Sequence, residues 1–307
     1  MERPFLSVVM PVHAGERWLD ATLASIATRD HFPVEVIIRD STPGTSCEAI
    51  VMRHAERLRI DYAYVPDIAS WTRKTNLAVE AARADHVAML HQDDLWLPER
   101  LDVIARMIAR DPDAALLVTS AQLIDDAGRV LGPWRPPFVA GAVHSENYRA
   151  DLLVQNSIAL PAPVFRRAAY LATGGLDESL WYTPDWDLWL KFAAQGRVIY
   201  DPRPTVAFRI HGGSLTMTGN RREFAEQLDI VLARHLPLDA REQRLCHASA
   251  RINVLLAHAA EGDASAAAKA LVTLVGLGPR GALRYLRASR LTERLWPRLR
   301  LRFSGGL

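Results

Sequence analysis

Over its first hundred residues the chain alternates between two hydrophobic periods. Residues 5–12 form a short, nearly continuous apolar run, the pattern of a parallel strand buried on both faces. Residues 16–28 then set Trp18, Leu19, Leu23 and Ile26 at helical spacing. A second β-branched run, 34–39, closes on Asp40-Ser41-Thr42-Pro43-Gly44, a turn cluster. The alternation goes on to predict a helix over 46–59, a strand over 60–65, a helix over 70–83 and a strand over 86–90. That last strand runs straight into His91-Gln92-Asp93-Asp94. Repeats of this kind build an α/β fold on an open, mostly parallel sheet flanked by helices. Ligands bind such sheets beyond the carboxyl ends of the strands, where Asp40 and Asp93-Asp94 stand.

The pattern continues with a helix over 98–110, an apolar stretch over 114–124 and an irregular region over 125–160. A helix is predicted over 164–173, ended by Gly174-Gly175, and a short one over 185–194 carrying Trp186, Trp189, Leu190 and Phe192. Beyond residue 220 the reading is helical throughout: 222–235, 240–261 and 265–275, then an arginine-studded end.

Composition narrows the class. Of 307 residues 49% are hydrophobic and 23% charged, which excludes a disordered chain. No apolar run reaches the roughly 18–20 residues that span a bilayer. Cys47 and Cys246 are too few and too distant for a disulfide framework or a zinc site. The N-terminal apolar run is interrupted by Pro11 and His13 and followed by Glu16-Arg17, which reads as a strand and not a signal peptide, so a cytoplasmic location is expected. The net charge of +2 hides an asymmetry. Residues 1–220 carry 22 basic and 27 acidic side chains, net −5, whereas 221–307 carry 15 and 8, net +7. This step marks a boundary between a domain over 1–220 and a helical region over 221–307.

Three places offer chemistry, each with a plainer alternative. Adjacent Asp93 and Asp94 at a strand end would repel each other unless a cation is near, and a divalent ion on a nucleoside diphosphate supplies one; a helix cap is the alternative. Asp185 and Asp187 sit among Trp181, Tyr182 and Trp186, where a carboxyl could serve as general base and the rings could stack on sugars; again a helix cap with core tryptophans would account for them. His211-Gly212-Gly213-Ser214 ends a late strand and could touch metal or phosphate, or face solvent.

In order along the chain these segments resemble the family 2 glycosyltransferases, inverting enzymes of the GT-A fold. Ser7-Val8-Val9-Met10-Pro11-Val12-His13, with Trp18-Leu19 and Leu23-Ala24-Ser25-Ile26, is similar to the family's first strand and helix. Val36-Ile37-Ile38-Arg39-Asp40-Ser41 is similar to its second strand, and Asn76-Leu77-Ala78 with Ala81-Ala82 to the helix before the metal-binding strand. Leu90-His91-Gln92-Asp93-Asp94-Leu95-Trp96 resembles the DxD stretch, with His91 in place of the first aspartate. Gly174-Gly175-Leu176-Asp177-Glu178 and Asp185-Trp186-Asp187-Leu188-Trp189-Leu190 resemble the acceptor region, with Pro184 where a glutamate is usual. Thr75 stands where an arginine is expected, with Arg73 and Lys74 beside it.

The resemblance implies a nucleotide-sugar site of Pro11, Val12, Asp40, Lys74, Asn76, Asp93 and Asp94, with Asp40 at the nucleobase. It implies Asp93 and His211 at a divalent metal (Mn²⁺ or Mg²⁺), Asp185 as base, and Trp181, Trp186 and Asp187 at a glycan or lipid-linked acceptor; nucleic acid is not among the expected partners. A sugar nucleotidyltransferase would need a glycine-rich N-terminal loop, and Met10–Gly15 holds one glycine. A GT-A-like module that binds a glycan or partner without turnover is the reading from another class. Finally, residues 280–302 hold eight arginines against Glu293 alone among acids. Arg280, Arg284, Arg287, Arg290, Arg294 and Arg298 fall on one face of a predicted helix that Pro297 would stop or kink. Such a helix, with its leucines and Trp296, suits an anionic membrane surface at the inner face of the membrane, or else packing on the acidic domain.

Overall fold

The computed structural model describes residues 3–28, 32–213, 220–236 and 239–303, with side chains given as far as residue 297. Strands β1 (Leu6–Val12) and β2 (Val34–Asp40) are buried at every position, which is why their sequences run apolar without alternation. With β3 (Arg59–Tyr64) and β4 (His86–Met89) they form a parallel unit in the order β3-β2-β1-β4. Register pairs Val12 with Asp40 and Val9 with Met89, so the exits of β1, β2 and β4 meet at one edge. Helices α1 (Leu19–Ser25), α2 (Ser46–Met52) and α3 (Trp71–Ala81) make the crossovers.

The other half of the sheet is mixed. β9 (Val164–Arg166) runs antiparallel to both β4 and β6 (Leu116–Ile124), and β10 (Val198–Arg209) lies parallel to β6. β5 (Leu95–Trp96) pairs antiparallel with β10. β7 (Val130–Trp134) adds to β6 and β8 (Gly141–Val143) to β10. The predicted helix over 164–173 is therefore a strand followed by the short α6 (Arg167–Ala172), because Val164 and Phe165 are needed, fully buried, in mid-sheet. The region read as irregular also holds α5 (Ser145–Val154), whose Tyr148, Leu152 and Leu153 are completely buried.

After α4 (Arg100–Arg110) and α7 (Pro184–Phe192) come the C-terminal helices α8 (Arg221–His235), α9 (Ala240–Ala260) and α10 (Ala264–Gly276). Each begins where the side chain of Asn220, Asp239 or Asp263 accepts two amide hydrogens of the first turn. Phe224, Val231, Leu245, Ile252 and Ala270 on these helices share one buried cluster with Tyr148, Leu152, Trp186 and Trp189. The core thus runs continuously across residue 220. Among the described residues no helix is long and apolar enough to cross a membrane.

The arginine-rich end departs from the single helix expected. α11 (Gly278–Ser289) stops at Arg290, whose φ of 47° is left-handed, and α12 (Leu291–Phe303) sets off anew. Arg294 turns inward, donating to Gln155 Oε1 at 2.6 Å and Asn253 Oδ1 at 2.9 Å. Pro297 lies within α12 without stopping it, buried so close to β7 that a Cβ on Gly132 would meet its Cγ at 3.2 Å. The side chains of Arg298, Arg300 and Arg302 lie outside the described residues.

Asp187 ties these parts together. Its carboxylate is fully buried, with Lys191 Nζ at 2.6 Å, His235 Nε2 at 2.9 Å and Arg234 Nη1 at 3.6 Å. Burial alone would raise this carboxyl, but His235 and Lys191 outweigh it and bring it down to about 2. Asp187 is therefore a clasp between α7 and α8 and not an acceptor contact. Since the folded carboxyl lies below the unfolded value of about 3.9, its stabilisation is present above pH 4–5 and fades as pH falls toward 2. Asp187→Asn should lower the unfolding free energy at pH 7 by about 3–5 kcal/mol, read as an earlier midpoint in urea; an unchanged midpoint would contradict the clasp.

Candidate active site

The site lies where β1, β2 and β4 end. Pro11 and Val12 are buried in the last turn of β1, and the Val12 carbonyl accepts from the Ser41 amide at 3.1 Å and from Lys74 Nζ at 2.7 Å. Lys74 also donates to Ser41 Oγ at 2.8 Å. Burial lowers its ammonium to about 8, against the pull of Asp40. Asp40 is 1% exposed, its Oδ1 accepting the Thr42 amide at 2.7 Å and its Oδ2 the Tyr62 hydroxyl at 3.0 Å. As placed, Asp40 has both carboxylate oxygens engaged and shapes the floor of the strand-end site. Gln92 fastens the loop above it, accepting from the His13 amide at 2.7 Å and donating to the His13 carbonyl at 2.8 Å.

Asn76, expected at the nucleotide sugar, is spent elsewhere. Its amide donates to the Leu176 carbonyl at 3.0 Å and Glu178 Oε1 at 2.8 Å, and its oxygen accepts from the Tyr170 hydroxyl and the Leu176 amide. Gly175, at φ 75°, passes so close that a Cβ there would lie 2.8 Å from Asn76 Oδ1. Asn76 therefore holds the glycine turn before the acceptor region.

The two adjacent aspartates have been divided. Asp94 points inward, 1% exposed, and its Oδ1 accepts the Arg209 amide at 2.9 Å. Burial and the neighbouring Asp93 push its carboxyl well above the ordinary value, and through Oδ1 it anchors the end of β10. Asp93 points the other way and meets His211, Oδ2 to Nε2 at 2.9 Å. Burial opposes its charge, but His211 and His91 outweigh it and keep the carboxyl below the ordinary value. Arg209 braces the pair from behind, donating to the carbonyls of Asp93, Asp125 and Asp126. The Trp18 ring lies tilted against the His211 ring, with centroids 4.4 Å apart.

Among the described residues no three His, Cys, Asp or Glu side chains form a metal cage. The Asp93–His211 pair nevertheless fits a divalent ion. Two cis donors about 2.1 Å from an octahedral ion lie about 3 Å apart, matching the 2.9 Å between these atoms. The remaining ligands would come from a diphosphate and water. Ser214, at the end of this histidine segment, lies outside the described residues.

Asp185 is partly buried at the start of α7, and its Oδ2 accepts from Asn156 Nδ2 at 2.9 Å. Burial pushes its carboxyl up to about 6, and the Asn156 amide limits the rise. Asn156 was not singled out in the sequence, since it lies in the stretch that carries no periodicity. Trp71 connects the two halves of the site, its ring edge-on to His91 at 5.1 Å and its indole donating to the Trp181 carbonyl at 3.2 Å. Trp181 is partly exposed beside this contact, with its own indole on Glu223. Trp186 is corrected: it is 3% exposed, donates to the Leu152 carbonyl at 2.8 Å and belongs to the core, leaving no ring face for a sugar.

The family model for "Glycosyltransferase like family 2" matches residues 7–232. An uncharacterized glycosyltransferase of Rickettsia typhi is 22% identical over 237 residues, covering 73% of this chain and 70% of that protein. The O-antigen biosynthesis protein RfbC of Myxococcus xanthus is 28% identical over 195 residues, 62% of this chain but 14% of that much longer one. The fold is shared with S. aureus TarS 1-349 in complex with UDP-GlcNAc, at a TM-score of 0.64 and 16% identity over 94% of this chain and 91% of that one. It is also shared with the mannosyltransferase PcManGT of Pyrobaculum calidifontis in complex with GDP-Man and Mn²⁺, at 0.54 and 17%, covering 96% and 88%. A family-model match over most of the chain, on the GT-A fold, makes this protein a member of the family 2 glycosyltransferases.

Proposed function

We propose that the chain is an inverting transferase that moves a sugar from a nucleoside-diphosphate sugar to a hydroxyl of a glycan or lipid-linked acceptor, in polysaccharide synthesis. The observation that carries this reading is Asp185, a carboxyl raised to about 6 and oriented by Asn156, on the acceptor side of a site whose donor side ends in Asp93–His211. Support for the donor class comes from TarS with UDP-GlcNAc and PcManGT with GDP-Man and Mn²⁺, and for the pathway from the O-antigen name of the M. xanthus relative.

Asp185 takes the proton of the acceptor hydroxyl as its oxygen forms a bond to the anomeric carbon. The bond from that carbon to the diphosphate breaks on the opposite face, and the nucleoside diphosphate leaves. Asp93 and His211 would hold the divalent ion, which supplies neutralisation of charge on the departing diphosphate when bound. Lys74, Ser41 and the ends of β1 and β2 frame the nucleotide, and Trp71 and Trp181 border the acceptor. The catalytic unit is assigned to residues 1–220, with 221–307 as its helical support. Part of this reading is that the 280–302 segment meets an anionic membrane at its cytoplasmic face, where lipid-linked acceptors reside.

Asp185→Asn should reduce transfer by 10²–10⁴-fold while UDP or GDP binding, read by thermal shift, stays intact. Loss of both together would place the carboxyl on the donor side, and unimpaired transfer would favour a site that binds without turnover.

The base must be ionised to work, so kcat/KM should fall as pH drops through about 6. Asn156→Ala removes the amide that limits the Asp185 carboxyl, so this acid limb should move to higher pH; an unmoved limb would separate Asn156 from the base.

Asp93→Ala should abolish the gain in nucleotide affinity that Mn²⁺ confers on the wild type over EDTA. Equal wild-type affinity in Mn²⁺ and EDTA would contradict the metal assignment.

A further inference from the structure

A cavity of about 490 Å³ lies apart from this site, between α5, the β7–β8 connection and α11. Arg280, Arg284 and Arg287 line it from α11. They recur at four- and three-residue intervals on a helix that buries Tyr285, Ala288 and Ser289 while leaving these three arginines exposed. The one carboxylate on the wall is Asp151, 3.8 Å from Arg284, and burial raises it above the ordinary carboxylate value. The Arg280 side chain makes no hydrogen bond or ion pair among the described residues. Three guanidiniums against one weakened carboxylate leave a strongly positive wall with donors to spare.

The rim is apolar. Leu283 is 70% exposed and Val139 77% exposed, both lining the cavity. On the preceding helix α10, Leu271, Val272 and Val275 are exposed at 61%, 72% and 68%. Aliphatic side chains standing in water beside a cluster of guanidiniums with a single carboxylate among them suit a ligand that is both anionic and apolar. Guanidinium binds phosphate oxygens in a forked geometry, and exposed aliphatics beside basic residues are the pattern of a surface lying in a lipid interface. A soluble phosphate would use the arginines and leave the leucine and valines without a function.

We propose that this cavity is a binding site for the phosphate headgroup of an anionic phospholipid, through which α11 and α10 lie on the membrane. The inference rests on the membrane contact proposed above and narrows it. The site is in the first half of the arginine-rich segment, since Arg294 is turned inward and Pro297 is packed on β7. Asp151 in the cavity and Asn156 beside Asp185 are five residues apart on one segment, so a lipid held here would share a support with the proposed base.

The test is cosedimentation of the full chain, without nucleotide or acceptor, with phosphatidylcholine vesicles that contain or lack phosphatidylglycerol. The wild type should bind the anionic vesicles and not the neutral ones. Arg280→Glu/Arg287→Glu should weaken binding at least about thirtyfold, from the loss of two near-surface basic residues. Leu283→Asp should weaken it as well, whereas Arg110→Glu/Arg222→Glu, with the same charge change on exposed residues elsewhere, should not. An equal loss in both double variants would mean attraction by net charge alone and would overturn the site. Undiminished binding by Arg280→Glu/Arg287→Glu would also overturn it, leaving the broader membrane contact standing. Displacement by inorganic phosphate as readily as by a soluble short-chain phosphatidylglycerol would reduce it to a simple anion site. Failure of the wild type to bind anionic vesicles would end both membrane readings, with the transferase reading untouched.

Discussion

Two consecutive carboxylates at the buried end of a strand cannot both stay charged and desolvated, and much of the site follows from how Asp93 and Asp94 resolve this. Burial and the neighbouring Asp93 raise the Asp94 carboxyl well above its ordinary value, and its Oδ1 accepts the Arg209 amide, which ties the end of β10 to the segment that follows β4. Asp93 keeps its charge by facing His211, which the same strand delivers two residues after Arg209. The Arg209 guanidinium, the Trp18 ring and the carbonyls of 125 and 126 then brace both from behind. The Asp93–His211 end of the site is thus a consequence of one electrostatic conflict settled by geometry.

The Asp185 end of the site depends on the C-terminal helices. Arg294 of α12 and Asn253 of α9 both bond to Gln155, and Ser249 bonds to the Val154 carbonyl, so the end of α5 is held by residues more than ninety positions away. The next residue, Asn156, orients Asp185. On the other side of α7, Asp187 is clasped by His235 and Lys191. The helical region is therefore built into the support of the proposed base, and its basic charge is only partly available to outside partners.

The parallel half was legible because strands buried on both faces leave a simple apolar signature, and because turn residues mark their ends at Asp40 and after Leu90. The pairing of Asp93 with His211 followed from family resemblance, since nothing local joins residues 118 positions apart. Spacing could not separate the roles of Asp185 and Asp187. Both sit in the first turn of α7, and only a distant histidine and arginine decide which one is clasped. Trp186 read as a sugar platform for the same reason: whether a ring faces cleft or core is set by the tertiary partner, here Leu152. β9 was invisible because three residues in mid-sheet are too few for a period, and their apolar content equally suits the helix that follows. The arginine face of the tail was correctly spaced up to Arg287 and then lost, because a left-handed residue at Arg290 resets the helix phase.

The central claim is a single displacement driven by one base on the acceptor side, and the configuration of the product tests it most directly. With an α-linked nucleotide sugar as donor, the anomeric coupling in the proton NMR spectrum of the new glycosidic bond reports its stereochemistry. The account predicts a β-linked product, the inverse of the donor. A product that retains the α configuration would contradict it, because retention requires a second displacement or front-face attack that Asp185 as sole base does not provide.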